Sequence, residues 1–171
     1  SPSRGLGDVY KRQALIATVF SVLGALFGYY IGYALNEVAI TKKDTSSMIK
    51  IEAYLNDEFL NTYWADGLII STPTGSTGYS LSCGGPIIMP GTGNIIITPI
   101  TQHNLNVRPI VVEDTSVIRL KVEDRDQIAL VSLDSRSRAF NSDTELIIKK
   151  AEFNIKLIEL SGNSFITTVR N

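Results

Sequence analysis

The segment MIKIEAYLNDEFLNTYWA, Met48–Ala65, places Ile49, Ile51 and Ala53 on one side of an extended chain and Lys50, Glu52 and Tyr54 on the other. A period of two is the period of a strand, because successive side chains of a strand point to opposite faces. Asn56-Asp57 interrupts the pattern with two residues that tolerate turn conformations, and Phe59–Ala65 resumes it. The segment therefore reads as a β-hairpin. Further short apolar runs follow: LIIST (Leu68–Thr72), NIIIT (Asn94–Thr98), PIVV (Pro109–Val112), SVIRLKVE (Ser116–Glu123), QIALVSLD (Gln127–Asp134), ELIIKK (Glu145–Lys150) and FNIKLIEL (Phe153–Leu160). Turn residues separate them at fairly regular spacing. That pattern predicts a mainly β fold, a sandwich or a related multi-sheet domain. A helix is expected only around Gly78–Cys83.

Upstream the texture differs. ALIATVFSVLGALFGYYIGYAL, Ala14–Leu35, holds no charged residue. As a helix it is long enough to cross a hydrocarbon layer of roughly 30 Å. Gly24, Gly28 and Gly32 recur at the spacing that lets membrane helices approach, and Lys11 and Arg12 precede the run. The expectation is a single hydrophobic, membrane-type helix over residues 14–33. The core of a signal peptide and a buried helix are the alternatives. Residues 1–13, SPSRGLGDVYKRQ, show no apolar period and resemble a translated sequencing-adapter remnant; they are expected to be a disordered or artefactual tail. The join to the β-rich remainder, residues 34–171, reads as a chimera, with a membrane-anchored fragment as the competing view.

Composition narrows the function classes. With 16 basic and 17 acidic residues the net charge is −1, so no electrostatic footprint for nucleic acid is present. The single cysteine, Cys83, excludes an intrachain disulfide.

Chemistry concentrates in DGLIISTPTGSTGYSLSCGGPIIMP, Asp66–Pro90. A buried strand delivers the chain into hydroxyls and glycines from Ser71 to Ser82. Glycines let backbone N–H groups converge on an anion, and hydroxyls reach phosphate or ribose oxygens. No lysine follows the glycines as a P-loop requires, and Gly75-Ser76-Thr77-Gly78 lacks the spacing of a nucleophile elbow. On residue types alone, a loop that merely turns the chain explains the segment equally well.

The same string is similar to the long signature segment of NAD kinases. ALNE (Ala34–Glu37) resembles that family's Asn-Glu motif. NTYWADG, ITPI (Ile97–Ile100), HNLNVRP (His103–Pro109) and LDSR (Leu133–Arg136) stand in the expected order. The resemblance runs from Ala34 to about Arg170 and is strongest to the Bacteroidetes branch. It implies the family's C-terminal β-rich domain, which holds NAD against a preceding α/β domain. The enzyme transfers the γ-phosphoryl of ATP, carried with Mg2+, to the 2′-hydroxyl of the adenosine ribose of NAD, giving NADP. The family is cytoplasmic and usually homo-oligomeric; here a membrane association would depend on residues 14–35.

The resemblance also implies roles. Asn36 and Glu37 match the pair that contacts the adenine ribose, and Asp66 matches the aspartate on the nicotinamide side. Thr74, Thr77, Gly78, Tyr79, Ser80, Leu81 and Ser82 fall in the signature lining the dinucleotide, with Tyr79 near the adenine. Gly78 stands where many members have Ala. Thr101 falls near a position against NAD that is usually Ala. Arg136 replaces the Gln of a DGQ motif, which weakens a role toward NAD. His103 lacks a nucleophile partner and reads as structural or interfacial. The family's GGDG motif, source of the proposed general base, does not occur in this chain. The chain alone is therefore expected to lack kinase activity. Rival expectations are a related diacylglycerol- or sphingosine-type lipid kinase domain and a non-catalytic, membrane-tethered ligand-binding β domain.

Overall fold

Apolar side chains at every second position drive this chain into strands. In chain order these are β1 (Val9–Ser21), β2 (Tyr30–Ala34), β3 (Glu37–Lys42), β4 (Ile49–Leu55), β5 (Glu58–Ala65), β6 (Gly67–Ser71), β7 (Asn94–Ile100), β8 (Ile110–Glu113), β9 (Ile118–Glu123), β10 (Ile128–Leu133), β11 (Arg136–Asn141) and β12 (Thr144–Ile158). Two short helices, α1 (Tyr79–Ser82) and α2 (Phe165–Arg170), accompany them. The computed structural model describes residues 9–21, 30–34, 36–43, 48–102, 106–124, 128–142, 144–158 and 165–170.

The strands form two antiparallel six-stranded sheets. The first runs β2-β1-β12-β9-β4-β5 and the second β11-β10-β3-β6-β7-β8. The expected hairpin is β4–β5, closed by Asn56 (φ 50°) and Asp57 (φ 67°), the two left-handed residues that a tight turn of matching twist demands. The inner faces meet in one core. Ile49, Ile51, Ala53, Tyr63, Leu120 and Ile148 from the first sheet pack with Val38, Ile40, Leu68, Ile70, Ile97 and Val131 from the second. Alternation explains which residues these are, and burial of each Ile or Leu contributes roughly 1.5–3 kcal/mol.

β6 is buried along its whole length. Leu68 and Ile70 face the core. Ile69 faces the other way and is covered by Cys83, together with Ala39 and Ile100. The chain after β6 therefore folds back across the outer face of the second sheet, and that return path builds the site below.

The hydrophobic helix expected over residues 14–33 is not what forms. Val9–Ser21 and Tyr30–Ala34 are strands, paired with each other from Leu15↔Ala34 to Val19↔Tyr30. β1 also pairs with β12 from Val9↔Ile158 to Ser21↔Thr144. Residues 9–13, expected to be disordered, belong to the same ladder. The physical reason is that a charge-free run reports avoidance of water, not helicity. Ile16, Thr18, Val19, Ile31 and the tyrosines favour extended chain, and Gly24, Gly28 and Gly32 weaken a helix in water. The fifteen-residue β12 supplies the partner edge. Among the described residues no helix is long and apolar enough to cross a membrane. Residues 1–8 and 22–29 lie outside the described residues, as does His103.

Candidate functional site

The site begins where β6 ends. Ser71 and Thr72 are fully buried, and Thr72 ties this end to the start of β3. Its N–H donates to the Asn36 carbonyl at 2.9 Å and its hydroxyl donates to the same oxygen at 3.1 Å. Gly75 N–H then donates to Thr72 Oγ1 at 3.2 Å, closing a 3-10 turn over Thr74–Thr77. Ser76 is buried and holds the far side of the loop. Its hydroxyl donates to the Pro73 carbonyl at 2.7 Å and accepts the Ile88 N–H at 3.0 Å. Gly75 is required here by close approach: a Cβ would lie 2.2 Å from the Asn36 carbonyl oxygen. Hydroxyls that looked like ligand donors in the sequence, those of Thr72 and Ser76, thus serve the loop's own geometry.

The result is a cavity of about 540 Å³ lined by Asn36, Glu37, Thr74, Gly75, Thr77, Gly78, Asp134 and Ser135. Five of these were anticipated from sequence: Asn36, Glu37, Thr74, Thr77 and Gly78. Gly75 was read only as part of the glycine-and-hydroxyl loop, and Asp134 and Ser135 only as part of the LDSR string, without contact roles. Asp134 and Ser135 form the two-residue turn between β10 and β11, where Leu133 pairs with Arg136. Asp134 takes a left-handed φ of 52°. Its Oδ1 accepts the Asn36 N–H at 2.9 Å and the Glu37 N–H at 3.1 Å, and its own N–H donates to the Glu37 carbonyl at 3.1 Å. The sequence signal for it was its place in the LDSR string, at the Asp of the motif in which Arg136 replaces Gln, with no contact role attached.

Glu37 is half-buried on the cavity wall, and its Oε2 is shielded from solvent with no hydrogen-bond partner among the described residues. Burial pushes its carboxyl above the ordinary value. The Ser80 N–H pulls it back, the Asp134 charge raises it further, and the Tyr79 N–H again favours the charged form. A Cβ on Gly78 would lie 3.3 Å from the Gly75 carbonyl oxygen and 3.7 Å from Glu37 Oε2. An alanine there needs only a small shift.

The other anticipated residues are placed differently. Ser80 is fully buried, its hydroxyl 2.9 Å from that of Thr98 on the outer face of β7, so it fastens α1 to the sheet. Tyr79, Leu81 and Ser82 are exposed on α1. Burial raises the Tyr79 hydroxyl's pKa most, followed by the negative charges of Cys83, Glu37 and Asp66. Asp66 and Thr101 stand together at the opposite end of β6, where Gly67 pairs with Ile100. Asp66 is ion-paired to Lys42 at 2.5 Å, and Thr101 has a left-handed φ of 46°. Four strand rises separate Gly67 from Ser71, roughly 13 Å. The charges of both Glu37 and Asp66, at the two ends, act on the Tyr79 hydroxyl. Arg136 is exposed at the start of the edge strand β11, outside the cavity lining. Among the described residues no cluster of three His, Cys, Asp or Glu side chains could hold a metal ion.

Comparison with known proteins places this geometry. Residues 35–160 match the ATP-NAD kinase C-terminal domain family. The NAD kinase of Christiangramia forsetii is 57% identical over 137 residues, 80% of this chain and 47% of its own length. That of Cytophaga hutchinsonii is 54% identical over 146 residues, 85% of this chain and 50% of its own. The chain thus spans about half the length of the curated relatives it matches. Among solved structures, a yeast NADH kinase complexed with NADH shares the fold at TM-score 0.88 and 24% identity, over 96% of this chain and 48% of that one. An NAD kinase from Archaeoglobus fulgidus in complex with ATP matches at TM-score 0.78 and 25% identity, over 95% of this chain and 61% of that one. The chain belongs to the ATP-NAD kinase C-terminal domain family.

Proposed function

We propose that this chain is the dinucleotide-holding half of an NAD kinase, the enzyme that moves the γ-phosphoryl of ATP to the 2′-hydroxyl of the adenosine ribose of NAD. The observation that carries this reading is the shared cavity in which Asn36 and Glu37 of the β3 start face the Thr74–Gly78 turn. An amide and a carboxylate side by side suit two ribose hydroxyls, one accepting and one donating as needed. Glu37 Oε2, buried and without a partner among the described residues, has the chemistry to accept from such a hydroxyl. The Thr74 and Thr77 hydroxyls and the bare backbone of Gly78 suit the neighbouring phosphate and ribose oxygens. Tyr79, exposed beside the cavity, offers a face to the adenine, and Asp66 with Thr101 lies on the side assigned to the nicotinamide. Ser80 acts by fixing α1, while Leu81, Ser82 and Arg136 stand at the periphery.

In this role the chain binds and orients NAD, and Glu37 holds the acceptor ribose. It supplies no base of the GGDG type, because that tetrapeptide is absent from the sequence. Phosphoryl transfer depends on positioning and charge stabilisation around the moving group. The preceding α/β domain of the relatives would have to provide these. Magnesium would arrive on the donor phosphates, and such an ion is usually held by one or two carboxylates plus phosphate oxygens rather than by a full protein cage. Assembly with a second copy and a cytoplasmic setting belong to the same proposal, on the family's pattern.

Isothermal titration of the 171-residue chain with NAD tests the reading, alongside a coupled assay for NADP with ATP present. Heat from NAD without NADP formation is the expected pair of results. Absence of heat at millimolar NAD would count against a dinucleotide site.

A further inference from the structure

Among the described residues, Asp134 is a side chain whose bonds connect distant parts of the cavity wall. Aspartates in two-residue turns ordinarily bond to their own backbone a residue or two away. Here the carboxylate reaches 97 and 98 positions along the sequence, to the amides of Glu37 and Asn36. The ladder between β10 and β3 ends at Leu133↔Val38, one step short of the cavity. Beyond that rung, Asp134 continues the connection with three hydrogen bonds of 2.9 to 3.1 Å. Two of them end on one oxygen, and a carboxylate accepting N–H donors makes stronger bonds than a neutral acceptor. The Asn36 carbonyl is in turn gripped by Thr72. Asn36 is thus held from its N–H by the β10–β11 turn and from its carbonyl by the loop after β6.

We propose that Asp134 is a positioning residue that fixes the Asn36–Glu37 pair at the cavity, acting through the backbone of both. The proposal rests on the dinucleotide reading only for its consequence on NAD affinity. Asp134 also bears on Glu37 through space. The charged or titratable groups facing Glu37 are Asp134 from the turn and Tyr79 and Cys83 from the α1 segment. Of these, Asp134 acts on Glu37 in the direction that raises its pKa, and its removal relieves that repulsion.

Two variants separate the carboxylate from the turn conformation. Asp134→Gly tolerates the left-handed φ but has no acceptor. Asp134→Asn tolerates it nearly as well and keeps one acceptor oxygen without the charge. Amide exchange by NMR on the 171-residue chain is the first readout. Asp134→Gly is expected to speed exchange at Asn36 and Glu37 at least tenfold while Ile70 and Ile97 in the core stay protected. Asp134→Asn is expected to retain that protection but move the Glu37 carboxyl titration to lower pH. In calorimetry, Asp134→Gly should weaken NAD by roughly tenfold, a loss of about 1.4 kcal/mol. Asp134→Asn, which keeps an acceptor but loses its charge, should weaken NAD by less than Asp134→Gly. Unchanged exchange at Asn36 and Glu37 in Asp134→Gly would overturn the proposal. Protection lost equally at Ile70 and Ile97 would overturn it too, because Asp134 would then support the fold at large. If the unsubstituted chain binds no NAD, the dinucleotide reading fails, and the exchange pattern alone decides the role of Asp134.

Discussion

The two sheets share an inner face and differ on the outer one. The outer face of the first sheet is charged. Lys50 bridges Glu52 at 2.8 Å and Glu123 at 3.1 Å, Arg119 and Lys121 approach Glu145, and Arg119 lies over the Tyr54 ring at 4.1 Å. The outer face of the second sheet is covered by its own chain, which brings glycines, buried hydroxyls and an under-satisfied carboxylate to one rim. A strand's outward residues are free of the core, so they can either dissolve in water or be spent on a site. Here each sheet does one of these.

Four substitutions probe this contrast. The largest effect belongs to the shared core: Leu68→Ala should cost about 2–5 kcal/mol in a denaturant titration, since the side chain is fully buried between the sheets. Next comes the covered outer face. Gly75→Ala forces a Cβ to within 2.2 Å of a backbone carbonyl. Overpacking of this kind costs about 1–3 kcal/mol, and calorimetry should show NAD affinity falling more than melting does. A Gly75→Ala chain that binds NAD normally would mean the cavity does not depend on this contact.

Glu37→Gln should act mainly on pH dependence. Burial raises the Glu37 pKa above its ordinary 4.5, so the folded state prefers the proton. A raised pKa gives a contribution fully present below the ordinary value and lost as pH rises through the folded one. Glu37→Gln should therefore remove a loss of stability in that window and leave the chain no less stable at neutral pH. NAD affinity, in contrast, should fall as pH drops through the raised value in the unsubstituted chain and become flat in the variant. Lys50→Met on the charged face should be the smallest change, with stability and NAD affinity unaltered within error, because exposed ion pairs contribute little.

Legibility in the sequence followed the same contrast. The β4–β5 hairpin was readable because one face is wet and the other dry, and Asn56-Asp57 announces its turn. β11 was missed because RSRAFN is an edge strand, exposed at all but Phe140, and shows almost no apolar pattern. β3 went unnoticed although Val38 and Ile40 alternate inward, since it is short and adjoins the Asn-Glu motif. Two runs read as separate, ELIIKK and FNIKLIEL, are one strand, β12. The charge-free stretch was the largest error, because hydrophobicity without period does not distinguish paired strands from a helix. At the site, the resemblance to NAD kinases marked Asn36, Glu37 and the Thr74–Gly78 turn, which residue types alone left undecided. Asp134 was marked only as part of the LDSR string, and its contacts went unforeseen because they are made to distant backbone, which no local pattern encodes.

Backbone chemical shifts of the nitrogen-15-labelled chain titrated with NAD test the central claim most directly. The account predicts movement concentrated at Asn36, Glu37, Gly75 to Gly78, Asp134 and Ser135, with Lys50, Glu123 and Lys121 still. Shifts confined to the charged face of the first sheet, or spread evenly over both sheets, would contradict it.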